Sequence, residues 1–577
     1  MKKLILLFSV LFCSLAAMAD DSGKCGENLT WTYTESTKTL TIEGTGAMDS
    51  YSNQRSEWLD YRSEIKKIII GFGVTVIGSY AFYDCSEVTS VSIPNSVTRI
   101  DHRAFYRCNS LTSINIPNSV TTIADYAFYG CSALTSITIP SSVTWIGTDA
   151  FSYCSGLNSI VVESGNQIYD SRNQCNAIIE TSTNALIKGC KTTVIPNSVT
   201  LIGAAFGGCY DLTSITIPNS VTKIYGSAFS GCRGLTSIAI PNSVTWIGGR
   251  AFEGCRGLKS VTIGNSVTTI EDHAFENCEA IPSITILKSV TSIGSNVFKG
   301  CLALASIVVE IGNPVYDSRN YCNGIIETST NTLIAGCKST IIPNSVTSIG
   351  TSAFEGCSSL TSITIPNSVT SIENKAFSGC SGLTSVNIGN GVTTIGIKAF
   401  SGCSGLAYIM IPNSVTNIKN SAFASCTGFT SVAIPNSVTT IGKTTFVYCL
   451  NLKSVILGNS LTSIGENAFG WVENLQDVYC YSEQIPTTEY GVFVTSCIAN
   501  ATLHVPAPVI TIYQAYSPWN EFGKIVALTD SDPNPTGIET VHSTGSKSHD
   551  YYNLAGQKVS ADYKGIVIVN GKRIVRK

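Results

Sequence analysis

The sequence predicts a β-solenoid, in which short parallel strands stack turn upon turn with little or no α-helix. Three observations predict it: cysteine recurs every 23 residues in three runs, a Phe recurs at the same interval, and each interval repeats one alternation of apolar residues. Such a period is typical of repeat architectures, because one unit cannot bury its own apolar edge and neighbours must stack. The three runs are Cys85, Cys108, Cys131 and Cys154; Cys209, Cys232, Cys255, Cys278 and Cys301; and Cys357, Cys380, Cys403, Cys426 and Cys449.

One unit, residues 209–231, shows how the pattern builds a turn. Ile215 and Ile217 alternate with hydroxyl residues, as in a short strand with one buried face. Pro218 lacks an amide hydrogen and ends that strand. Phe229 follows at the corner, where its ring is predicted to fill the core. The repeated unit therefore predicts a right-handed stack of such turns.

The shared skeleton Leu-x-Ser-Ile-x-Ile-Pro-Asn-Ser-Val-Thr-x-Ile-Gly-x-x-Ala-Phe closely resembles the BspA-like leucine-rich repeats. The resemblance runs from about residue 65 to about residue 469, roughly two-thirds of the chain. It implies a right-handed leucine-rich-repeat array. It also implies a protein that is secreted or surface-exposed and acts as an adhesin.

The start of the chain has the pattern of a secretory signal: two lysines, an apolar run over residues 4–15 and the small-residue sequence Ala17-Met18-Ala19. Two insertions interrupt the array and repeat each other almost residue for residue. Each is predicted to form one variant turn from which a loop or hairpin protrudes. The predicted segments are a signal peptide at 1–19, an N-terminal cap at 20–64 built on a β-hairpin, and the solenoid at 65–469 with insertions at 160–196 and 307–343.

Beyond residue 469 the repeat decays. Residues 509–522 carry Tyr513, Tyr516 and Trp519, and are predicted to form a short aromatic-faced helix that closes the far end of the core. The predicted segments are a C-terminal capping region at 470–528, a linker at 529–550 and a small β element at 551–577.

The tail carries Asn553-Leu-Ala-Gly556, then Lys564-Gly565, and a strong hairpin signal at Asn570-Gly571. It resembles the C-terminal sorting segments of type IX-secreted proteins. That resemblance implies contact with the secretion machinery and a location outside, or on the outer membrane surface of, a Gram-negative cell. A small β-ornament without that role is the alternative.

Charge is sparse and balanced, with 36 basic and 39 acidic residues that make up 13% of the chain. This balance argues against nucleic acid or an anionic membrane surface as the main partner. After the signal, no apolar stretch approaches the roughly eighteen residues of a spanning helix. No membrane span is therefore predicted.

The sequence shows no constellation for catalysis. Its five histidines have no metal-ligand spacing, and neither a GxSxG elbow nor a phosphate-binding loop occurs. No catalytic, cofactor-binding or metal residue is predicted, and a non-enzymatic protein is expected.

The cysteines suggest disulfides at first sight, since the chain is predicted to be exported. Because fourteen of them recur at one internal position, they are interpreted instead as a ladder of buried small side chains. Stacked side chains point the same way and bridge poorly. If disulfides form, the repeated pairs Cys175/Cys190 and Cys322/Cys337 are the better candidates.

Protein–protein interaction or adhesion is the predicted function, through many similar turns that contact one partner at once. A host extracellular-matrix or cell-surface protein is the expected partner. A structural spacer or self-associating surface layer is the alternative, and a hydrolytic enzyme is the third hypothesis. The candidate contact residues belong to the twin Tyr-Asp-Ser-Arg-Asn segments or are large departures from the repeat. For the twin segments the alternative role is a self-contained Asp–Arg pair, and for the tryptophans it is packing against a neighbouring turn. The candidates are Tyr169, Asp170, Arg172, Tyr316, Asp317, Arg319, Trp145, Trp246, Tyr408 and Met410.

Overall fold

The structure is a computed structural model that describes residues 21–51 and 56–535, together with the backbone of four short strands between 551 and 576. It divides into two compact units, Met1–Leu212 and Thr213–Lys577, and each is described by itself. The predicted signal peptide and residues 536–550 of the predicted linker lie outside the described residues.

Short strands are the main regular elements of the first unit. They are β1 (Asp21–Gly26), β2 (Asn28–Thr34), β3 (Thr39–Ala47), β4 (Lys67–Ile70), β5 (Val74–Ile77), β6 (Ser90–Ser92), β7 (Arg99–Ile100), β8 (Thr122–Ile123), β9 (Ser136–Ile139), β10 (Trp145–Ile146), β11 (Ser159–Val162), β12 (Tyr169–Asp170), β13 (Ala177–Glu180), β14 (Ala185–Gly189) and β15 (Leu201–Ile202).

Short strands are also the main regular elements of the second unit. Its strands are β16 (Lys223–Ile224), β17 (Ser237–Ala239), β18 (Trp246–Ile247), β19 (Ser260–Thr262), β20 (Thr269–Ile270), β21 (Ser283–Ile286), β22 (Ser292–Ile293), β23 (Ser306–Val309), β24 (Tyr316–Asp317), β25 (Gly324–Glu327), β26 (Thr332–Gly336), β27 (Ser348–Ile349), β28 (Ser362–Ile365), β29 (Ser371–Ile372), β30 (Ser385–Ile388), β31 (Thr394–Ile395), β32 (Asn417–Ile418), β33 (Ser431–Ile434), β34 (Thr440–Ile441), β35 (Ser454–Leu457), β36 (Ser463–Ile464), β37 (Asp477–Cys480), β38 (Thr487–Thr488), β39 (Thr502–Val505), β40 (Lys524–Ala527), β41 (Tyr551–Asn553), β42 (Lys558–Val559), β43 (Gly565–Val569) and β44 (Lys572–Arg576).

Hydrogen bonds between residues 23 apart tie each turn to the next. The amide of Thr121 donates to the carbonyl of Thr98 at 2.8 Å, and that of Thr144 donates to Thr121 at 2.9 Å. The threonine hydroxyls repeat this link, since Oγ1 of Thr121 also donates to Thr98 at 3.2 Å. In the second unit Thr370 donates to Thr347 in the same way, at 2.9 Å. The predicted β-solenoid with a 23-residue period is confirmed in each unit.

The Phe corners form the core, as the period predicts. In the first unit the ring centroids of Phe82, Phe105 and Phe128 follow each other at 5.2 Å, and all three side chains are fully buried. In the second unit the stack from Phe354 to Phe469 has spacings between 4.9 and 5.6 Å. Burial of each ring stabilises the fold by about 1.5–3 kcal/mol.

Aromatic side chains also cover the first turn of the array. Strands β2 and β3 pair antiparallel as a hairpin, and β3 continues into the array by pairing in parallel with β4 and β5. Trp58 is fully buried; its Nε1 donates to the carbonyl of Ala81 at 2.9 Å, and its ring stacks on Phe82 at 5.5 Å. This contact closes the open end of the Phe stack.

The predicted helix over residues 509–522 is only partly present. Pro518 interrupts it, because a proline inside a helix lacks a donor and clashes with the preceding turn. Tyr513 and Trp519 are buried as expected, but Tyr516 is 61% exposed and takes no part in the closure. The helical segments are the α-helix α1 (Ile510–Tyr513) and the 3-10 turns Leu59–Tyr61, Arg172–Gln174, Arg319–Tyr321, Ile498–Asn500, Ala507–Val509 and Trp519–Glu521. Among the described residues, no helix combines the length and the apolar character needed to cross a membrane.

The insertions are packed onto the array rather than protruding from it. In the first, β14 pairs in parallel with β15 as the predicted variant turn, β13 folds back on β14, and β12 adds to β13. In the second, β24, β25, β26 and β27 repeat this arrangement. Ile178 and Ile179 are fully buried, so the hairpin contributes to the core. The predicted protrusion is wrong because the inserted apolar residues cover the edge of the preceding turns.

The C-terminal strands form a small antiparallel sheet in the order β42-β41-β43-β44. Val569 of β43 faces Lys572 of β44, which leaves two residues between the strands. Those two, Asn570 and Gly571, carry the predicted hairpin signal and lie outside the described residues.

Candidate interaction surfaces

Tyr169 and Tyr316, the tyrosines of the twin segments, fasten the insertions to the array. They are only 4% and 6% exposed. The hydroxyl of Tyr169 accepts the amide hydrogen of Ile146 at 2.9 Å, and that of Tyr316 accepts the amide hydrogen of Ile293 at 3.1 Å. Burial raises the pKa of both phenols. Their rings therefore present little surface to a ligand.

Asp170 and Arg172 form a two-pronged ion pair. Nε of Arg172 lies 2.8 Å from Oδ1 of Asp170 and Nη2 lies 2.7 Å from Oδ2, while Nη1 donates to Asn184 at 2.8 Å. Asp170 raises the pKa of Arg172 by this hydrogen bonding. The second insertion repeats the pair through Asp317 and Arg319, at 2.8 and 2.7 Å. The geometry is that of the self-contained pair, and ligand binding by these residues stays a prediction.

The large departures from the repeat differ in exposure. Trp145 is 46% exposed, and Tyr408 and Met410 are 55% and 52% exposed. Trp246 is half-buried, because its Nε1 donates to Glu271 at 3.1 Å and its ring meets Tyr225 edge-on at 5.2 Å. The alternative of packing against a neighbouring turn thus describes Trp246, whereas the other three remain open to solvent.

The second insertion exposes more apolar surface than the first. Ile311 is 97% exposed and Tyr321 is 93% exposed, whereas Ser164 and Gln174 occupy the matching positions of the first insertion. The replacement of Ser164 and Gln174 by Ile311 and Tyr321 is visible in the sequence. That both apolar side chains are exposed is visible only in the structure.

The cysteines are free thiols in the structure, including Cys175, Cys190, Cys322 and Cys337. The two candidate disulfides, Cys175–Cys190 and Cys322–Cys337, are not formed, because each of these thiols donates to a nearby carbonyl oxygen instead. The thiol of Cys190, for example, donates to the carbonyl of Asn176 at 3.6 Å. Most of the thiols are buried, whereas Cys357 is half-buried and Cys497 is exposed. The ladder is therefore part of the core.

The twin insertions differ most at one buried position. Lys188 is 3% exposed and its Nζ has no hydrogen-bond partner among the described atoms; Ala335 stands at the matching place. A cavity of about 20 Å³ lies beside Ala335, and the unpartnered Oδ1 of Asn296 belongs to a residue of its lining. This space suits one water molecule rather than a substrate.

No metal centre is evident in the described part of the chain, where no three His, Cys, Asp or Glu side chains are grouped to hold an ion. Two histidines pair with carboxylates: His273 Nδ1 lies 2.6 Å from Glu276, and His504 Nε2 lies 3.1 Å from Asp477.

Three consecutive turns of the first unit carry clustered tyrosine and arginine side chains, a departure from the Thr/Ser surface of the regular turns. These residues were not among the contact residues predicted from the sequence. We define the tyrosine–arginine face as seven side chains that flank three successive Phe corners. Most are half-buried, and Arg107 is exposed. The members are Tyr80, Tyr83, Arg103, Tyr106, Arg107, Tyr126 and Tyr129.

The tyrosines after the corners form a continuous stack. The rings of Tyr83 and Tyr106 lie 4.9 Å apart and 3° from parallel, and those of Tyr106 and Tyr129 lie 4.8 Å apart at the same angle. Because both faces of the Tyr106 ring are covered, this residue offers its edge and hydroxyl to a partner. The recurrence of tyrosine at an interval of 23 was the signal that could have identified this stack.

Arg103 sits in a cage of three tyrosines. Its guanidinium carbon lies 5.5 Å from the ring centroids of Tyr80 and Tyr106 and 5.1 Å from that of Tyr126. Nη1 donates to the hydroxyl of Tyr80 at 3.0 Å, while the buried Nε has no partner in the described structure. Burial and the charge of Arg103 lower the pKa of nearby His102. Cation–π contacts hold the guanidinium in place.

The repeat geometry defines a leucine-rich-repeat β-solenoid. The model of the BspA type leucine rich repeat region, which holds six copies, matches residues 57–178, 178–305, 332–446 and 399–516. Since these matches span more than half of the chain, the chain belongs to the BspA-type leucine-rich repeat family.

Three solved structures of bacterial proteins are similar to the chain. A leucine rich cell surface protein from Faecalibacterium prausnitzii is 27% identical, over 76% of this chain and 95% of that one, with a TM-score of 0.41. A leucine-rich repeat protein from Eubacterium ventriosum is 24% identical, over 70% and 94%, with a TM-score of 0.39. The pneumococcal vaccine antigen PcpA is 18% identical, over 88% and 99%, with a TM-score of 0.41. No curated protein matches the chain in sequence.

Proposed function

We propose that the protein is an exported bacterial surface protein that binds another protein through its repeat surface. The observation that carries the proposal is the uniform outer side of the turns. Thr98, Thr121 and Thr144 are all exposed at the same position, and their hydroxyls are tied to the turn before. Because such contacts are small and alike, useful affinity comes from several turns that engage one partner together.

A host extracellular-matrix or cell-surface protein is the proposed partner. Membership of the BspA-type family supports an interaction role, and the F. prausnitzii protein of similar sequence is itself a cell surface protein. We add to the proposal that residues 1–19 direct export and that residues 551–577 engage the secretion machinery at the outer membrane of a Gram-negative cell. The tail sequence supports this part by its resemblance to sorting segments.

A binding screen of residues 20–577 against immobilised matrix and cell-surface proteins tests the proposal. We expect saturable binding that weakens stepwise when complete turns are removed, while Thr370→Ala in a regular turn changes affinity less than twofold. A surface spacer is the second candidate, favoured by the low charge of the chain. Concentration-dependent self-association in sedimentation, with no partner retained, would establish the spacer instead.

A further inference from the structure

We propose that the tyrosine–arginine face binds a polypeptide segment with well-spaced acidic side chains, one carboxylate of which lies against Arg103 and Arg107. This inference rests on the proposed function and names a local site within it. It differs from the regular turns in one respect, since binding here depends on particular side chains.

In the described structure both arginines lack a counter-ion. Arg99, on the same turn, is paired with Asp101 at 2.7 Å, but in the described structure no carboxylate pairs with Arg103 or Arg107. A guanidinium has a planar set of donors that matches a carboxylate in a two-pronged fashion.

The side chains of the face are already held in place before a partner binds. Tyr106 is held between two parallel rings, and the guanidinium carbon of Arg107 lies 5.4 Å from its centroid. Tyrosine and arginine are the residue types that contribute most often to binding energy at protein interfaces. Side chains fixed before binding lose little conformational entropy when a partner docks.

The covered rings and the nearby acidic residues favour a polypeptide over other anions. A sugar ring or a nucleobase would need a free aromatic face for stacking, whereas both faces of Tyr106 are covered. Two half-buried acidic residues adjoin the face in sequence: Asp84 follows Tyr83, and Asp125, which accepts the amide hydrogen of Thr148 at 2.7 Å, precedes Tyr126. Their negative charge disfavours a dense polyanion more than a single acidic side chain.

The test uses a twelve-residue threonine peptide with Glu at its fourth and ninth positions as the probe, and the same peptide with Gln at those positions as its neutral counterpart. The mature protein should bind the Glu peptide at least about tenfold more tightly, because a hydrogen-bonded charge pair is lost with Gln. Arg103→Ala and Arg107→Ala should each remove most of this preference. Arg103→Lys should restore it only in part, since an ammonium is a single point charge.

Arg250→Ala is the matched control. Arg250 occupies the same position before its Phe corner, but it is paired with Glu253 at 3.8 Å and has no tyrosine cage. Near-UV circular dichroism of tyrosine reports whether the stack survives each change, including Arg107→Ala, which removes an exposed side chain and its contact with the Tyr106 ring.

Equal binding of the Glu and Gln peptides, or equal effects of Arg103→Ala and Arg250→Ala, would overturn the site. Tighter binding of polygalacturonate than of the Glu peptide would overturn the choice of a polypeptide. If the arginine variants bind the matrix protein found in the screen with the affinity of the unsubstituted protein, the proposed site is wrong while the proposed function stands. If the peptide binds but the screen retains no protein, the proposed function fails and the site stands.

Discussion

At the scale of single residues, a buried tyrosine hydroxyl connects each insertion to the turn before it. In Tyr169→Phe the amide of Ile146 loses its acceptor at 2.9 Å in a site that stays buried. We expect a local loss of about 1–3 kcal/mol, the cost of an unsatisfied buried donor. Hydrogen exchange of the Ile146 amide should accelerate by a corresponding factor.

Tyr321→Phe is the control for this prediction, because Tyr321 is 93% exposed and its change should leave exchange and the urea midpoint unaltered. The Ile293 amide should respond to Tyr316→Phe as Ile146 responds to Tyr169→Phe. Unchanged exchange in both buried variants would contradict the fastening role.

Residue-level roles were the hardest to predict from sequence. The polar Tyr-Asp-Ser-Arg-Asn motif indicated a protruding site. The period of 23 places Tyr169 one turn after Ile146, but it does not show that the tyrosine hydroxyl is the acceptor for the Ile146 amide. The tyrosine stack was equally hidden, although its period was visible. A tyrosine that recurs with the repeat is either core or a continuous surface feature, and only its half-buried position decides between them.

At the scale of the element, the cysteine ladder is built by hydrogen bonds to the Phe corners. The Sγ of Cys255 donates to the carbonyl of Phe229 at 3.1 Å, and that of Cys278 donates to Phe252 at 3.1 Å. These two thiols thus point back to the Phe carbonyl of the preceding turn. This orientation explains why a run of cysteines at one position forms no disulfides.

The ladder predicts an alkaline loss of stability. Burial raises the pKa of Cys85, Cys403 and Cys449 from 9.0 to about 12. An acid that stays protonated in the fold but ionises in the unfolded chain makes stability fall as pH rises above about 9, and the fall ends near pH 12. Urea midpoints measured from pH 7 to pH 11 should therefore be level at first and then decline.

Cys403→Ala is the control variant, and its decline with pH should be shallower because one titrating group is gone. In native protein at pH 8 the ladder thiols should resist alkylation, and they should react after denaturation without reductant. A midpoint that stays constant up to pH 11, or thiols that stay blocked after denaturation, would contradict the free, buried ladder.

At the scale of the whole chain, the period predicted the solenoid because every turn repeats the same nearest-neighbour contacts. Features that do not repeat could not be predicted from the period. The insertions look polar in their Tyr-Asp-Ser-Arg-Asn motif, yet Ile178 and Ile179 complete the core. The helix expected at 509–522 was limited by Pro518, a local effect that the aromatic pattern concealed.

The last prediction follows from the same nearest-neighbour contacts in the second unit. Removal of residues 381–403 takes out one complete period of 23 residues. It joins Cys380 to Ser404, which restores the Cys-Ser sequence found at Cys380-Ser381. Phe377, which now stacks on Phe400 at 5.1 Å, should stack on Phe423 instead. The shortened protein should keep the circular dichroism spectrum per residue and unfold with little change in midpoint.

Removal of residues 381–392 provides the contrast, because it takes out about half a period and sets strand residues opposite corner residues. Apolar side chains such as those of Phe400 and Ile395 would then lose their stacking partners, so we expect binding of a hydrophobic dye and aggregation. If both deletions behaved alike, stability would not be organised turn by turn. With the 23-residue deletion folded, its affinity for the partner should fall by a modest factor rather than disappear, since the remaining turns still bind together.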